Sequence, residues 1–169
     1  MLSRAVTESA IDLRQFTRDA RIAFENARQS QVAHDDACLR TGDVLAGIAS
    51  TTGPAGRLLA DKGISFKVAV YNSGEVKDDS FHRVREPLTE QIDNPHEHGI
   101  SDFMFYGVFK GAEALAENLG DDLIGTEHLL CAALRDYYGE ASKFLQTFKF
   151  DIEPIRSEAK ALLVKSSQT

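Results

Sequence analysis

Gly125-Thr126-Glu127-His128-Leu129-Leu130 has a diverged counterpart 85 residues earlier, Arg40-Thr41-Gly42-Asp43-Val44-Leu45. At that offset Ala27 pairs with Ala112, Asp36 with Asp121, Thr41 with Thr126 and Leu45 with Leu130. One extra residue after Gly53 then aligns Ala55 with Ala141, Leu58 with Phe144 and Leu59 with Leu145. The shared order and the matching apolar pattern identify an internal duplication, which constrains architecture before any single residue does.

Helical periodicity runs outward from this pair of motifs. In the first half, Phe16, Ala20, Ala23, Phe24 and Ala27 share a face, and Thr17 is placed to cap a helix over about 16–32. Thr41 is the expected cap of the next helix, with Val44, Leu45 and Ile48 inward, and Pro54 suits the first turn of a third that ends near Gly63. Residues 64–71 alternate like a short strand, but a helix is preferred because the surrounding elements are helical.

The second half repeats the pattern. Phe105, Val108, Ala112, Leu115 and Leu119 form a stripe, and Thr126 opens a helix with Leu129, Leu130, Ala133 and Leu134 inward. Phe144, Leu145 and Phe148 face the core in the next, and Asp151 caps a closing helix carrying Ile152, Ile155, Ala159 and Leu162. Between the halves, residues 72–99 hold Gly74, Pro87, Pro95 and many charges, which reads as a long exposed connection with a short helical piece near Leu88 to Ile92.

Composition narrows function. A chain of 169 residues with 43% hydrophobic content can bury a full core, and its formal charge of -7 without a Lys/Arg run argues against nucleic acid. No apolar run approaches the roughly 20 residues of a membrane span, and the start carries Glu8 and Asp12, so neither an anchor nor a signal peptide is expected. Cys38 and Cys131 lack CxxC spacing and are read as buried free thiols in a reducing, cytoplasmic setting.

Phe16-Thr17-Arg18-Asp19-Ala20 together with Ile124-Gly125-Thr126-Glu127-His128-Leu129-Leu130 resembles the double repeat at the N-terminus of Clp-family AAA+ unfoldases, the Clp N-domain. The resemblance implies an all-α fold of two pseudosymmetric bundles of about four helices each, joined by a long loop. It divides the chain into an extension at 1–15, a first repeat at 16–71, a linker at 72–100 and a second repeat at 101–165, together one compact domain. No Gly-x-x-x-x-Gly-Lys-Ser/Thr string occurs, so the resemblance implies a free-standing, non-enzymatic N-domain protein without the ATPase ring. Its implied partners are Clp unfoldase or protease components, adaptor proteins or substrate polypeptides, in an accessory, regulatory or decoy role, with no cofactor.

Some members of that family bind phosphorylated arginine at two repeat-related sites, each using the first-helix Thr and the Glu of Thr-Glu-His. Carried onto this chain, Thr17 pairs with Gly42, which has no carboxylate, and Glu127 pairs with Asp102, which replaces Thr. A second carboxylate repels a phosphoryl group, leaving an unmodified basic peptide as the open ligand. Thr17, Asp102 and Glu127 are therefore the candidate peptide- or adaptor-binding residues.

Alternative readings accompany these. Thr126 is most simply a helix N-cap and Glu127 in the first turn is favoured by the helix dipole without any ligand, while His128 suits a local hydrogen bond, since no nucleophile accompanies it. His82, His96 and His98 raise a metal-dependent hydrolase, although HxH in a loop is weak evidence for zinc. A structural subunit stabilising a Clp protease core is the further alternative. Phe105 is expected in the core, with Phe103 or Tyr106 left as a partner surface.

Overall fold

Four helices in the first half, α1 (Arg18–Ala33), α2 (Thr41–Ala49), α3 (Pro54–Asp61) and α4 (Phe66–Ser73), are matched by four in the second. There a π-helical turn, Phe103–Phe109, runs into α5 (Lys110–Leu119), followed by α6 (Thr126–Ala133), α7 (Glu140–Thr147) and α8 (Ile152–Ser166). The computed structural model describes residues 10–77, 83–86, 91–135 and 140–166. Among these, two-residue strands β1 (Ile11–Asp12) and β2 (Gln91–Ile92) pair antiparallel, and single 3-10 turns occupy Leu13–Gln15 and Pro95–His98.

The starts of the later helices follow the duplication. Thr41 and Thr126 stand 85 residues apart, while Pro54 with Glu140 and Phe66 with Ile152 stand 86 apart. Burial repeats as well: Ala55 and Ala141, Leu58 and Phe144, and Leu59 and Leu145 are all core residues.

The first helices depart from this register. Thr17 Oγ1 accepts from the Ala20 amide at 3.2 Å, and Ser101 Oγ accepts from the Met104 amide at 3.3 Å, an offset of only 84. Phe24 and Phe109 are back at 85. The one-residue difference falls in the π-helical turn, whose wider i→i+5 bonding, as in Lys110 N–H to the Phe105 carbonyl, accommodates an inserted residue. The wider turn also buries Met104 and Val108, and Phe105 and Phe109, at a spacing of four that continues through Ala112 and Ala116.

The halves exchange backbone contacts. Phe16 forms a parallel bridge with Ile124, the Thr17 N–H donates to the Ile124 carbonyl at 2.9 Å, and the Ile124 N–H donates to the Gln15 carbonyl at 2.8 Å. The related bond on the other side runs from the Leu39 N–H to the Gly99 carbonyl, also 2.8 Å. Each half thus approaches its first helix through the segment preceding the other half's second helix. With α2 and α3 packed on α6, α2 on α7 and α3 on α8, one hydrophobic core spans both halves.

Several local expectations change. Thr41 and Thr126 are the first helical residues rather than the caps; the amides of Arg40 and Gly125 are taken instead by Asp43 Oδ2 and His128 Nδ1, both at 2.9 Å. A side chain in the first turn reaching back to the preceding amide is the reciprocal half of a capping box. Residues 66–73 are helical, with Ser65 Oγ accepting from the Val68 amide.

The connection is not uniformly exposed: Val84, Ile92 and Pro95 are buried. Of the short helical piece expected near Leu88 to Ile92, residues 88–90 lie outside the described residues, and Gln91–Ile92 is β2, its backbone drawn out by pairing with β1. Phe148 is exposed and tilts against Phe144 at 5.3 Å, because it follows the last turn of α7. Cys38 is exposed and only Cys131 is partly buried, because Cys38 lies in the α1–α2 connection and not on a helix face.

Candidate functional site

The bridge between Phe16 and Ile124 brings two of the three candidate residues into one neighbourhood. Thr17, half-buried at the start of α1, spends its hydroxyl lone pair on Ala20 and donates its amide to Ile124. Three residues beyond Ile124, Glu127 stands in the first turn of α6 with its side chain 12% exposed. Its carboxylate folds over Gly125, where an added Cβ would lie 2.5 Å from both oxygens, so glycine there makes room for the carboxylate. The same helix face carries Cys131, whose thiol burial pushes up to about 11, with Lys160 of α8 opposing the shift and Glu127 adding to it.

His128 is structural. Its Nδ1 accepts from the Gly125 amide, so that nitrogen carries no proton and Nε2–H donates to Asp121 Oδ2 at 2.9 Å. The 3.8 Å approach of Glu127 Oε1 to Nδ1 is then no ion pair.

Asp102 lies apart. It is 73% exposed, pairs with His96 Nε2 at 2.9 Å, and lines a cavity of about 260 Å³ with Asn94, Pro95, Glu97, Phe105 and Tyr106. Phe105 is buried as expected, while Phe103 and Tyr106 are 57% and 64% exposed. No hydrogen bond or ion pair joins Thr17, Asp102 and Glu127 to one another. The structure also changes the correspondence between halves: Ser101, not Asp102, performs the capping done by Thr17, so both first helices keep a hydroxyl at that point. The paired-residue assignment by a constant offset of 85 missed this because the inserted residue lies inside a helix, where no gap shows in the sequence.

On the first half the acidic position is crowded. A Cβ on Gly42 would lie 3.1 Å from the Ser73 Cβ of α4, so a side chain there requires α4 to give by a few tenths of an ångström. Beside it Asp43, buried, accepts the Ser30 hydroxyl at 2.6 Å and faces His34 Nδ1 at 3.4 Å, while His34 Nε2 reaches the Val70 carbonyl at 2.9 Å. The Asp43 hydrogen bond holds the His34 imidazole above its ordinary range, against the opposing effect of burial. Among the described residues no three His, Cys, Asp or Glu side chains gather as a metal site; His82 lies outside them. No helix among them is long and apolar enough to cross a membrane.

This architecture matches known proteins. Residues 104–168 match the family model of the Clp repeat (R) N-terminal domain. The N-terminal domain of the caseinolytic protease associated chaperone ClpD from Arabidopsis thaliana superposes with a TM-score of 0.66 at 20% identity, covering 89% of this chain and 96% of that one. A structure described as a preliminary structural investigation of a malarial protein secretion system superposes at 0.56 with 14% identity, covering 91% and 95%. Among curated protein sequences none matches significantly. Residues 104–168 thus carry the Clp repeat (R) N-terminal domain, and the helical fold of the Clp N-domain extends over both halves.

Proposed function

We propose that this chain is a non-enzymatic binding module that engages polypeptides of a Clp protease system, whether substrates, adaptors or protease components. The observation that carries the reading is the bridge between Phe16 and Ile124. It sets the Thr17 turn beside the α6 start, where the part-buried Glu127 carboxylate lies over Gly125. A guanidinium or ammonium of a basic peptide is the complementary group for that carboxylate. Asp102, with the exposed rings of Phe103 and Tyr106, supplies a second acidic and aromatic contact for the same class of ligand. The accessory or decoy role belongs to this proposal, as does the set of three binding residues.

The test is fluorescence anisotropy with a labelled arginine-containing peptide against the native chain, Glu127→Gln and Asp102→Asn. Loss of about tenfold or more in affinity in Glu127→Gln supports the placement, in line with a charge-assisted bond. Binding unchanged in both variants refutes it.

A further inference from the structure

Asn26 is fully buried near the middle of α1, yet its side chain grips the backbone of a residue in the inter-repeat connection. The Val84 N–H donates to Asn26 Oδ1 at 2.5 Å, and Asn26 Nδ2 donates to the Val84 carbonyl at 3.0 Å. The amide orientation is locked from behind. Ser50 Oγ donates to the Gly47 carbonyl at 2.5 Å, so toward Asn26 it can only accept, and it takes the second Nδ2 proton at 2.7 Å. Both Nδ2 protons and the Oδ1 oxygen are thus engaged.

Val84 is 8% exposed, while Arg83, Arg85 and Glu86 point to solvent. Arg18 holds the far side, donating to Glu86 Oε1 at 2.5 Å and to the Arg85 carbonyl at 3.4 Å. Residues 83–86 belong to no helix or strand, and beside them Asp19, Ile22, Thr51 and Thr52 line a cavity of about 140 Å³.

We infer that this groove between the N-terminal part of α1 and the end of α2 is a peptide-recognition site, and that Arg83-Val84-Arg85-Glu86 occupies it in cis as an internal mimic of the ligand. The Asn26 amide reads only one backbone N–H and C=O pair, which any extended peptide presents, as a strand added to a sheet edge does. Selectivity comes from burial of the Val84 side chain, which calls for an apolar residue, and from outward basic neighbours suited to a strongly acidic protein. The clamp exists once: Gly111 and Arg135 stand at the related positions of the second half. The inference rests on the polypeptide-binding reading for its class of ligand but uses a surface separate from Glu127. Because a tethered segment competes at an effective concentration of order millimolar, a free peptide binds well only when the segment is displaced.

The experiment compares the native chain with a vacated one carrying Arg83→Ser, Val84→Gly, Arg85→Ser and Glu86→Gly, using a fluorescein-labelled peptide copying residues 81–88. The vacated chain is expected to bind at least about tenfold more tightly than the native chain. Val84→Asp in the peptide, or Asn26→Asp in the vacated chain, abolishes the gain, whereas Glu127→Gln leaves it intact. A vacated chain that keeps its helical circular dichroism but binds no better than the native one overturns the inference and makes the contact a structural latch only. If the vacated chain does not fold, Val84→Ser, which retains the tether, serves in its place with a gain of about threefold, and no gain has the same meaning. Loss of arginine-peptide binding in Glu127→Gln together with no gain here upholds the general reading and rejects this site alone.

Discussion

Phe24 and Phe109, equivalent residues of the two halves, meet edge to face with ring centroids 5.5 Å apart and planes at 71°. Two copies of one position touch only where the pseudo-twofold axis passes, so this pair marks the centre of the duplicated fold. Both rings are buried. Truncating either to alanine is expected to cost about 3–5 kcal/mol in chemical denaturation. A double-mutant cycle is expected to return about 0.5–1.5 kcal/mol of coupling; additive single effects would show that the rings do not interact specifically.

Gly47→Ala tests the closest helix approach. A Cβ there would fall within van der Waals distance of the Ala23 carbonyl and 2.9 Å from the Ala27 amide, so α1 and α2 must separate. A loss of about 1–3 kcal/mol or more is expected, measured by urea melts. Gly107→Ala is the control: its Cβ would meet only a Phe103 ring carbon at 4.0 Å, and stability should hold or rise by up to about 1 kcal/mol.

His34 predicts a pH dependence. Its Nε2 must donate to the Val70 carbonyl, and its Nδ1 faces the Asp43 carboxylate, so both partners are acceptors and the cation satisfies both; Arg40 opposes it weakly. The folded value is raised, so the unfolded chain loses its proton first. The resulting stabilisation is complete below the unfolded value of about 6.5 and is lost as pH rises through the folded value. Melting of the native chain relative to His34→Asn is expected to show a native advantage at pH 6 that shrinks as pH rises above the ordinary histidine range. A difference independent of pH would contradict the assignment.

The two thiols are expected to react unequally. Cys38 is exposed, whereas burial raises the Cys131 thiol to about 11 and keeps it protonated at neutral pH. A disulfide-exchange reagent at pH 7.5 should label one thiol promptly and the second only after denaturation, with the first lost in Cys38→Ser. Two fast thiols would show that the face between α6 and α8 opens readily.

Much of the fold was readable without coordinates. The extra residue after Gly53 predicted the 86-residue offset of α3 to α7 and of α4 to α8, because apolar spacing on a helix face must be kept for the face to stay buried. The capping assignments to Thr41 and Thr126 were less successful, since Ser and Thr signal a helix start in general while Asp43 and His128 reach the orphan amides from inside the first turn. Ser101 was missed because a π-helical turn hides an insertion that a linear alignment shows as a mismatch. Asn26 carried a faint signal, a polar residue between the inward Ala23 and Ala27 of α1, but the residue it holds is 58 positions away.

By itself the sequence determined the duplication, the helices and their inward faces, because these follow from local periodicity and turn chemistry along the chain. Tertiary structure alone decided that the halves exchange backbone bonds, so that Thr17 stands by Ile124 and not by Gly42. It alone placed Val84 on Asn26 and set Ser73 of α4 tightly against Gly42. These depend on which surfaces meet across long stretches of chain, and that choice is made by packing a shared core, which no local pattern records.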